Sequence, residues 1–122
     1  MDIIAGINGS PHTNGNTGLL VNRVLAGSES RGAEITTFNL GDMNIGCCAA
    51  CDGCKSTQVC VKPDDMQNFL HAAHGISALV IGFPVYFDHV SAQLKAFIDR
   101  LYSFIGVNLE QLYPGGKKAV IC

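Results

Sequence analysis

Two short apolar segments constrain the fold of this chain more than any other feature. Residues 3–7 read Ile-Ile-Ala-Gly-Ile, and residues 78–83 read Ala-Leu-Val-Ile-Gly-Phe. A strand with one face in water alternates apolar and polar residues, whereas a parallel strand that is covered on both faces does not. Both segments therefore predict buried parallel strands, and residues 118–122 begin a third strand of the same kind, with Cys122 in the core.

The intervening segments complete an alternation of strands and helices. Apolar residues at three- and four-residue spacing predict a helix around residues 20–25, and residues 34–40 favour a less buried edge strand. Further helices are predicted for residues 63–73, capped by Asp64 and Asp65, and for residues 91–104. The order β-α-β-α-β-α-β predicts an α/β domain with a doubly wound parallel sheet. Because the chain stops inside its fourth strand, we expect residues 1–122 to be a single domain that lacks its C-terminal part.

Composition and charge exclude several functional classes. The 122 residues carry a net charge of −2, so the chain lacks the surplus of positive charge that would indicate a nucleic-acid partner. The longest apolar segment, residues 78–87, is too short for a bilayer, and no secretion signal opens the chain. These features predict a soluble cytoplasmic protein without membrane association. In that compartment, six cysteines indicate metal binding or redox chemistry more strongly than they indicate disulfides.

The loop after the first strand offers groups that bind an anion. Residues 9–17 read Gly-Ser-Pro-His-Thr-Asn-Gly-Asn-Thr, with hydroxyl, amide and imidazole groups and no carboxylate. The helix N-terminus behind the loop carries a partial positive charge, so the loop suits a monophosphate. It lacks the Walker A ending and the Gly-x-Gly-x-x-Gly pattern of dinucleotide sites. The alternative interpretation is a tight turn with Asn16 or Thr17 as the helix cap.

Five of the six cysteines lie within residues 47–60. Three of them follow one another at a spacing that lets their thiolates converge from one loop, which suits an iron–sulfur cluster, and a fourth lies five residues beyond. A zinc site, reduced thiols or a disulfide formed in air are the alternatives. The predicted metal ligands are Cys48, Cys51, Cys54 and Cys60, and Cys47 is surplus.

Three segments together resemble the flavodoxin-like NAD(P)H-dependent FMN reductase and iron–sulfur flavoprotein families. They are Gly9-Ser10-Pro11 with Gly15-Asn16-Thr17, the cluster Cys48-x2-Cys51-x2-Cys54-x5-Cys60 with residues 61–66, and residues 83–87 leading into residues 91–100. They follow the family's order and span nearly the whole chain. The resemblance implies a flavodoxin-like sheet that holds FMN at the carboxyl ends of its strands, NAD(P)H as co-substrate and a [4Fe-4S] cluster in the cysteine loop.

The resemblance also implies roles for individual residues. Ser10, Asn16 and Thr17 match positions that hold the FMN phosphate, and His12 stands where the family usually has a basic residue. Residues 84–87 match the loop that contacts the isoalloxazine and ribityl groups, although Tyr86 and Phe87 would alternatively pack under the next helix. The predicted FMN-binding residues are Ser10, His12, Asn14, Asn16, Thr17, Pro84, Val85, Tyr86 and Phe87, and no catalytic residue is assigned.

These observations predict an FMN-dependent oxidoreductase. Electrons would pass from NAD(P)H through the flavin to a small-molecule acceptor or to a ferredoxin-like protein. The resemblance further implies a homo-oligomer, with Arg100 and Tyr102 as candidate contacts between subunits. The alternatives are a non-enzymatic electron carrier of the flavodoxin type, which the nearly neutral charge disfavours, and a metal- or redox-sensing cysteine module with a vestigial flavin site.

Overall fold

Parallel strands and flanking helices alternate along the part of the chain that the computed structural model describes, residues 1–105 and 118–122. The strands are β1 (Ile3–Asn8), β2 (Glu34–Asn39), β3 (Ala78–Gly82) and β4 (Lys118–Ile121). The helices are α1 (Asn16–Glu29), α2 (Gly53–Thr57), α3 (Met66–Ala72) and α4 (Ala92–Arg100). Short 3-10 segments cover Leu40–Asp42, Ala73–Gly75 and Leu101–Phe104. No helix in these ranges is long and apolar enough to cross a membrane.

The strand order is β2-β1-β3-β4, and all three pairings are parallel. The chain moves outward from β1 to β2 and then returns to the other side of β1 to form β3, so the direction of winding reverses between β1 and β3. In open α/β sheets, the crevice at the carboxyl ends of the strands next to such a reversal is the usual ligand site. The structure confirms the doubly wound sheet and places β2 at the edge of the sheet, as predicted.

The two faces of the sheet have separate cores. Val21 and Leu25 of α1 pack with Val80 on one face, while the larger core on the other face includes Phe69 of α3 and Phe97 of α4. The side chains of a strand alternate between faces, so β1 and β3 contribute to both cores. This arrangement explains why the two central strands read as uninterrupted apolar segments.

Two glycines allow α1 to lie directly on the central strands. A Cβ atom on Gly82 would lie 2.5 Å from Val21 Cγ2, and one on Gly6 would lie 2.7 Å from both Leu25 Cδ1 and Val21 Cγ1. A larger residue at either position requires the helix to move. The glycines of β1 and β3 therefore place the N-terminus of α1 at the carboxyl edge of the sheet.

The prediction that residues 118–122 form a buried strand is wrong, and α4 also leaves apolar side chains exposed. On α4 and its 3-10 extension, Ile98 and Tyr102 are exposed, because only the stripe that includes Leu94 and Phe97 faces the sheet. In β4, Val120 is 52% exposed, and Cys122 is exposed rather than in the core. Within the described residues β4 is an edge strand that pairs only with β3.

Candidate functional site

The phosphate loop, residues 9–15, is held by a buried amide at the end of β1. Asn8 is 1% exposed, and its Oδ1 accepts a hydrogen bond from the backbone N–H of Ser10 at 3.1 Å. Its Nδ2 donates to the carbonyl of Thr13 and to Oδ1 of Asn39, each at 3.2 Å. One side chain thus ties both ends of the loop to the neighbouring strand β2. Sequence reasoning missed Asn8, although a polar residue that ends an apolar strand is the signal that identifies it.

The loop leads into the uncapped N-terminus of α1. Gly15 is the N-cap residue, no side chain accepts a hydrogen bond from the first turn, and this turn contains no acidic residue. The alternative interpretation of the loop, in which Asn16 or Thr17 caps the helix, is therefore wrong. The positive end of a 14-residue helix faces the loop without a side-chain partner, which is the arrangement that favours an anion.

Two hydroxyl groups of the phosphate loop have partners within the protein. Ser10 is buried, and its Oγ accepts a hydrogen bond from the backbone N–H of His12 at 3.0 Å. Thr13 Oγ1 lies 2.8 Å from Oδ2 of Asp42 and donates to it. The sequence of the loop contains no carboxylate, but the fold brings one to its edge. His12 and Asn14 remain exposed.

A second loop, residues 83–90, follows β3 and lies at the same edge of the sheet. The backbone N–H of Gly9 donates to the carbonyl of Gly82 at 2.7 Å, which ties the two loops together where they begin. Ser91 is fully buried and donates through Oγ to the carbonyl of Gly9, and the same oxygen accepts from the N–H of Leu94 to cap α4. The start of α4 therefore holds the second loop against the phosphate loop.

A tight turn forms the tip of the second loop. Tyr86 and His89 exchange two backbone hydrogen bonds of 3.0 and 3.1 Å, and Phe87 and Asp88 between them have φ angles of 47° and 63°. A bulky residue rarely adopts a positive φ, and such strain is concentrated at ligand sites. Phe87 is fully exposed and Tyr86 is about half exposed, so the alternative that they pack under the next helix is wrong.

The cysteine loop, residues 47–60, encloses one side of a cavity of about 310 Å³. All six cysteines are free thiols, and Tyr102 and Arg100 also line the cavity. Within residues 1–105 and 118–122, no three His, Cys, Asp or Glu side chains are already arranged to hold a metal ion. The donor set nevertheless fits a thiophilic group, because the cavity is lined by the thiols of Cys48, Cys51, Cys54 and Cys60.

Arg100, which lines this cavity, forms a buried ion pair with Asp64. Arg100 Nη1 lies 2.6 Å from Asp64 Oδ2, and Nη2 lies 3.0 Å from Oδ1 of the same carboxylate. Asp64 also accepts from the backbone N–H of Gly46 and from that of Met66, the first residue of α3, while it neutralises the arginine. The prediction that Asp64 and Asp65 cap this helix is wrong for Asp65, which is the N-cap residue but makes no side-chain capping bond and accepts from the N–H of Asn44 instead. Arg100 is 1% exposed and therefore does not form the subunit contact that the sequence suggested.

The ionisation of these groups follows from burial and pairing. Burial by itself would raise the pKa of Asp64, but the hydrogen bonds from Arg100 and Gly46 outweigh it, so the pKa is lowered. The same pair raises the pKa of Arg100 against the opposing effect of burial. Burial raises the pKa of the Cys54 thiol, and the nearby Lys55 offsets part of this effect. The ion pair is thus charged at neutral pH.

Comparison with known proteins assigns the family. The family model for NADPH-dependent FMN reductases matches residues 3–118. The chain belongs to this family. The phosphate loop, the second loop and the cysteine loop of this FMN reductase family member all lie within the matched residues. The match confirms the family that the sequence resembles.

Curated relatives are iron–sulfur flavoproteins. One from Methanocaldococcus jannaschii is 38% identical over 97 residues, which cover 80% of this chain and 50% of that protein. Others from Archaeoglobus fulgidus and Methanosarcina thermophila are each 32% identical, over 81% and 80% of this chain and 45% and 51% of their own lengths. This FMN reductase family member therefore spans about half the length of the curated relatives that it matches.

Solved structures share the fold. An apo NADH:FMN oxidoreductase superposes with a TM-score of 0.68 at 20% identity, over 98% of this chain and 56% of that chain. An NAD(P)H:quinone oxidoreductase from Methanothermobacter marburgensis superposes with a TM-score of 0.70 at 16% identity, over 99% of this chain and 62% of that chain. At these sequence identities, the superpositions show that the chain shares the flavodoxin-like fold.

The structure brings the predicted site residues into two groups. The residues predicted to bind FMN lie at the carboxyl edge of β1 and β3, in the two loops and the first turn of α1: Ser10, His12, Asn14, Asn16, Thr17, Pro84, Val85, Tyr86 and Phe87. The cysteine set lines the separate cavity beside Arg100. Sequence reasoning missed Asn8, Asn39 and Ser91, which hold these groups in place, and it assigned other roles to Asp64 and Arg100.

Proposed function

We propose that the chain forms the FMN-binding part of a cytoplasmic oxidoreductase that passes electrons from NAD(P)H through FMN to a small-molecule acceptor. The observation that carries this proposal is the uncapped N-terminus of α1, which faces the phosphate loop at the β1–β3 reversal. Membership of the NADPH-dependent FMN reductase family supports it. Bound FMN supplies the hydride-accepting chemistry, and the protein supplies binding and orientation.

The two loops would hold opposite ends of the cofactor. The phosphate loop offers backbone N–H groups, Asn16 and Thr17 beside the positive end of the α1 dipole, which suits the phosphate. The second loop offers Tyr86 and Phe87 as exposed aromatic surface, which suits a flat ring system. Hydrogen bonds from Gly9 to Gly82 and from Ser91 to Gly9 fix the distance between the two ends.

Binding of FMN to the full chain tests the phosphate site. Asn16→Asp places a negative charge in the first turn of α1, where we expect about tenfold weaker FMN binding through repulsion of the phosphate. Asn22→Asp makes the same change at an exposed position farther along α1 and should bind FMN like the wild type. Riboflavin, which lacks the phosphate, should bind both variants equally. Equal FMN affinity in the two variants would refute the assignment of the phosphate site.

Consumption of NAD(P)H distinguishes an enzyme from a carrier. The FMN-loaded chain should oxidise NAD(P)H steadily when a quinone is present, because the proposed enzyme transfers the electrons onward. A flavodoxin-type carrier would not consume nicotinamide. Flavin binding without nicotinamide oxidation would therefore favour the carrier, and size-exclusion chromatography of the same sample would test the proposed homo-oligomer.

We further propose that Cys48, Cys51, Cys54 and Cys60 bind a [4Fe-4S] cluster that relays single electrons to a ferredoxin-like protein. The shared cavity of the four thiols supports this, as do the iron–sulfur flavoprotein names of the relatives. Thiolate sulfur is the usual ligand of such clusters.

Metal analysis after anaerobic reconstitution tests the cluster. We expect four irons with matching labile sulfide in the wild type and in Cys47→Ala, since Cys47 does not line the cavity. Cys51→Ala should lose the iron. One zinc per chain without sulfide would instead favour the metal-sensing alternative.

A further inference from the structure

Arg100 is a buried cation whose hydrogen bonds reach three parts of the chain. Its two terminal nitrogens form the bidentate pair with Asp64, and Nη1 also donates to the carbonyl of Gly46 at 3.0 Å. A bidentate carboxylate already provides the counter-charge that a buried guanidinium requires. The remaining nitrogen, Nε, donates to Cys60 Sγ at 3.3 Å.

The partners of Arg100 flank the cysteine loop on both sides. Gly46 immediately precedes the loop, Cys60 ends it and Asp64 follows four residues later. Gly46 is also tied to Asp64 through its own N–H at 2.9 Å. A single side chain at the end of α4 therefore fixes the two ends of the loop relative to each other. Among the predicted ligands, Cys60 is the one whose sulfur this cation contacts.

An N–H···S hydrogen bond from a charged donor has a specific electronic effect. The guanidinium remains protonated throughout the accessible pH range, so it always donates. Negative charge on the sulfur strengthens the bond, because hydrogen bonds to ionised groups are roughly twice as strong as neutral ones. Hydrogen bonds to the sulfur atoms are among the factors that set the reduction potential of an iron–sulfur cluster.

We propose that Arg100 is a positioning residue of the cysteine site that holds Cys60 in place as a ligand and, through Nε–H, favours the reduced form of the bound cluster. This inference rests on the proposed [4Fe-4S] cluster. The redox step is the addition of one electron to the cluster, and no covalent bond to Arg100 forms or breaks. The reduced cluster carries one more negative charge and accepts the hydrogen bond more strongly, so Arg100 raises the midpoint potential.

A measurement on the wild-type chain tests the contact directly. The chain is produced with 15N-labelled arginine, reconstituted anaerobically with iron and sulfide, reduced with dithionite and examined by pulsed electron paramagnetic resonance. The sequence contains only two other arginines, Arg23 and Arg31, which are exposed and do not line the cavity. We expect a 15N hyperfine coupling to the reduced cluster. A cluster without this coupling would overturn the inference and leave the proposed cluster standing.

Two variants test the effect on the potential. Arg100→Lys keeps the charge near Asp64 but removes the Nε–H group, and Asp64→Asn removes the counter-charge but keeps that group. The potential reflects only the difference in strength of this bond between the reduced and the oxidised cluster, which is at most about a factor of ten. We therefore expect the ratio of reduced to oxidised cluster in Arg100→Lys to fall by up to about tenfold at a fixed solution potential, which is up to about 59 mV for a one-electron couple. The midpoint potential of Asp64→Asn should not fall.

The outcomes separate this inference from the proposed function. A wild-type chain that retains no iron after reconstitution refutes the cluster itself and, with it, this role of Arg100. Equal midpoint potentials in the wild type and Arg100→Lys refute the role of Arg100 alone. If Arg100→Lys does not fold, as thermal unfolding of the apo chain would show, the labelling measurement on the wild type decides.

Discussion

Replacing Asn8 by aspartate tests whether one buried amide organises the phosphate loop. The carboxylate has nearly the same shape and still accepts the hydrogen bond from the N–H of Ser10. It cannot donate to the carbonyl of Thr13 or to Asn39, so two bonds of 3.2 Å are lost. At about 1 kcal/mol for each bond, the free energy of unfolding should fall by at least about 2 kcal/mol, and burial of the new charge adds to the loss.

Urea unfolding compares the free energy of unfolding of Asn8→Asp with that of Asn39→Ala and of the wild type. Asn39→Ala removes only one of the three hydrogen bonds of Asn8 and should cost about 1 kcal/mol. Asn8→Asp should also weaken FMN binding more than riboflavin binding, because the loop that receives the phosphate is no longer held at both ends. The reasoning would be refuted if Asn8→Asp lost no more stability than Asn39→Ala, or if both ligands were weakened equally.

Three further substitutions test the packing, the ion pair and the helix cap. Gly82→Ala in β3 places a Cβ 2.5 Å from Val21 Cγ2 and should lower the free energy of unfolding by about 1–3 kcal/mol. Gly27→Ala in α1 meets no atom within 4 Å and should raise it by about 0.5–1 kcal/mol, and urea unfolding compares the two variants. Folding lowers the pKa of Asp64 from its ordinary value of 3.8, so its ionised carboxylate stabilises the fold above that pH. This stabilisation is lost as the pH falls through the lower pKa of the folded state. The free energy of unfolding of Asp64→Asn, measured as a function of pH, should not show this loss. Ser91→Ala removes the cap of α4 and the hydrogen bond to the phosphate loop, so the free energy of unfolding, measured by thermal unfolding, should fall by about 1–2 kcal/mol. The same variant should bind FMN more weakly.

The candidate site was only partly predictable from the sequence. The residues from Ser10 to Thr17 predict an anion-binding loop, because their types and their place between a strand and a helix are local properties. The alternative interpretation, with Asn16 or Thr17 as the helix cap, is wrong, since the cap depends on where the backbone turns and the turn occurs at Gly15. The assignment of individual residues to FMN or to a cluster remains a prediction that the proposed experiments test.

The strands β1 and β3 could be predicted from the sequence, because a strand covered on both faces consists almost entirely of apolar residues and this requirement is visible in a few consecutive residues. The partners of the charged and polar side chains became visible only in the folded chain. In the sequence Arg100 looks like a surface residue of an amphipathic helix, and it becomes a buried cation because the fold brings Asp64 and Cys60, 36 and 40 residues away, against its guanidinium group. The free energy of a buried charge depends on all of its neighbours at once, and those neighbours are fixed only when the whole chain has folded.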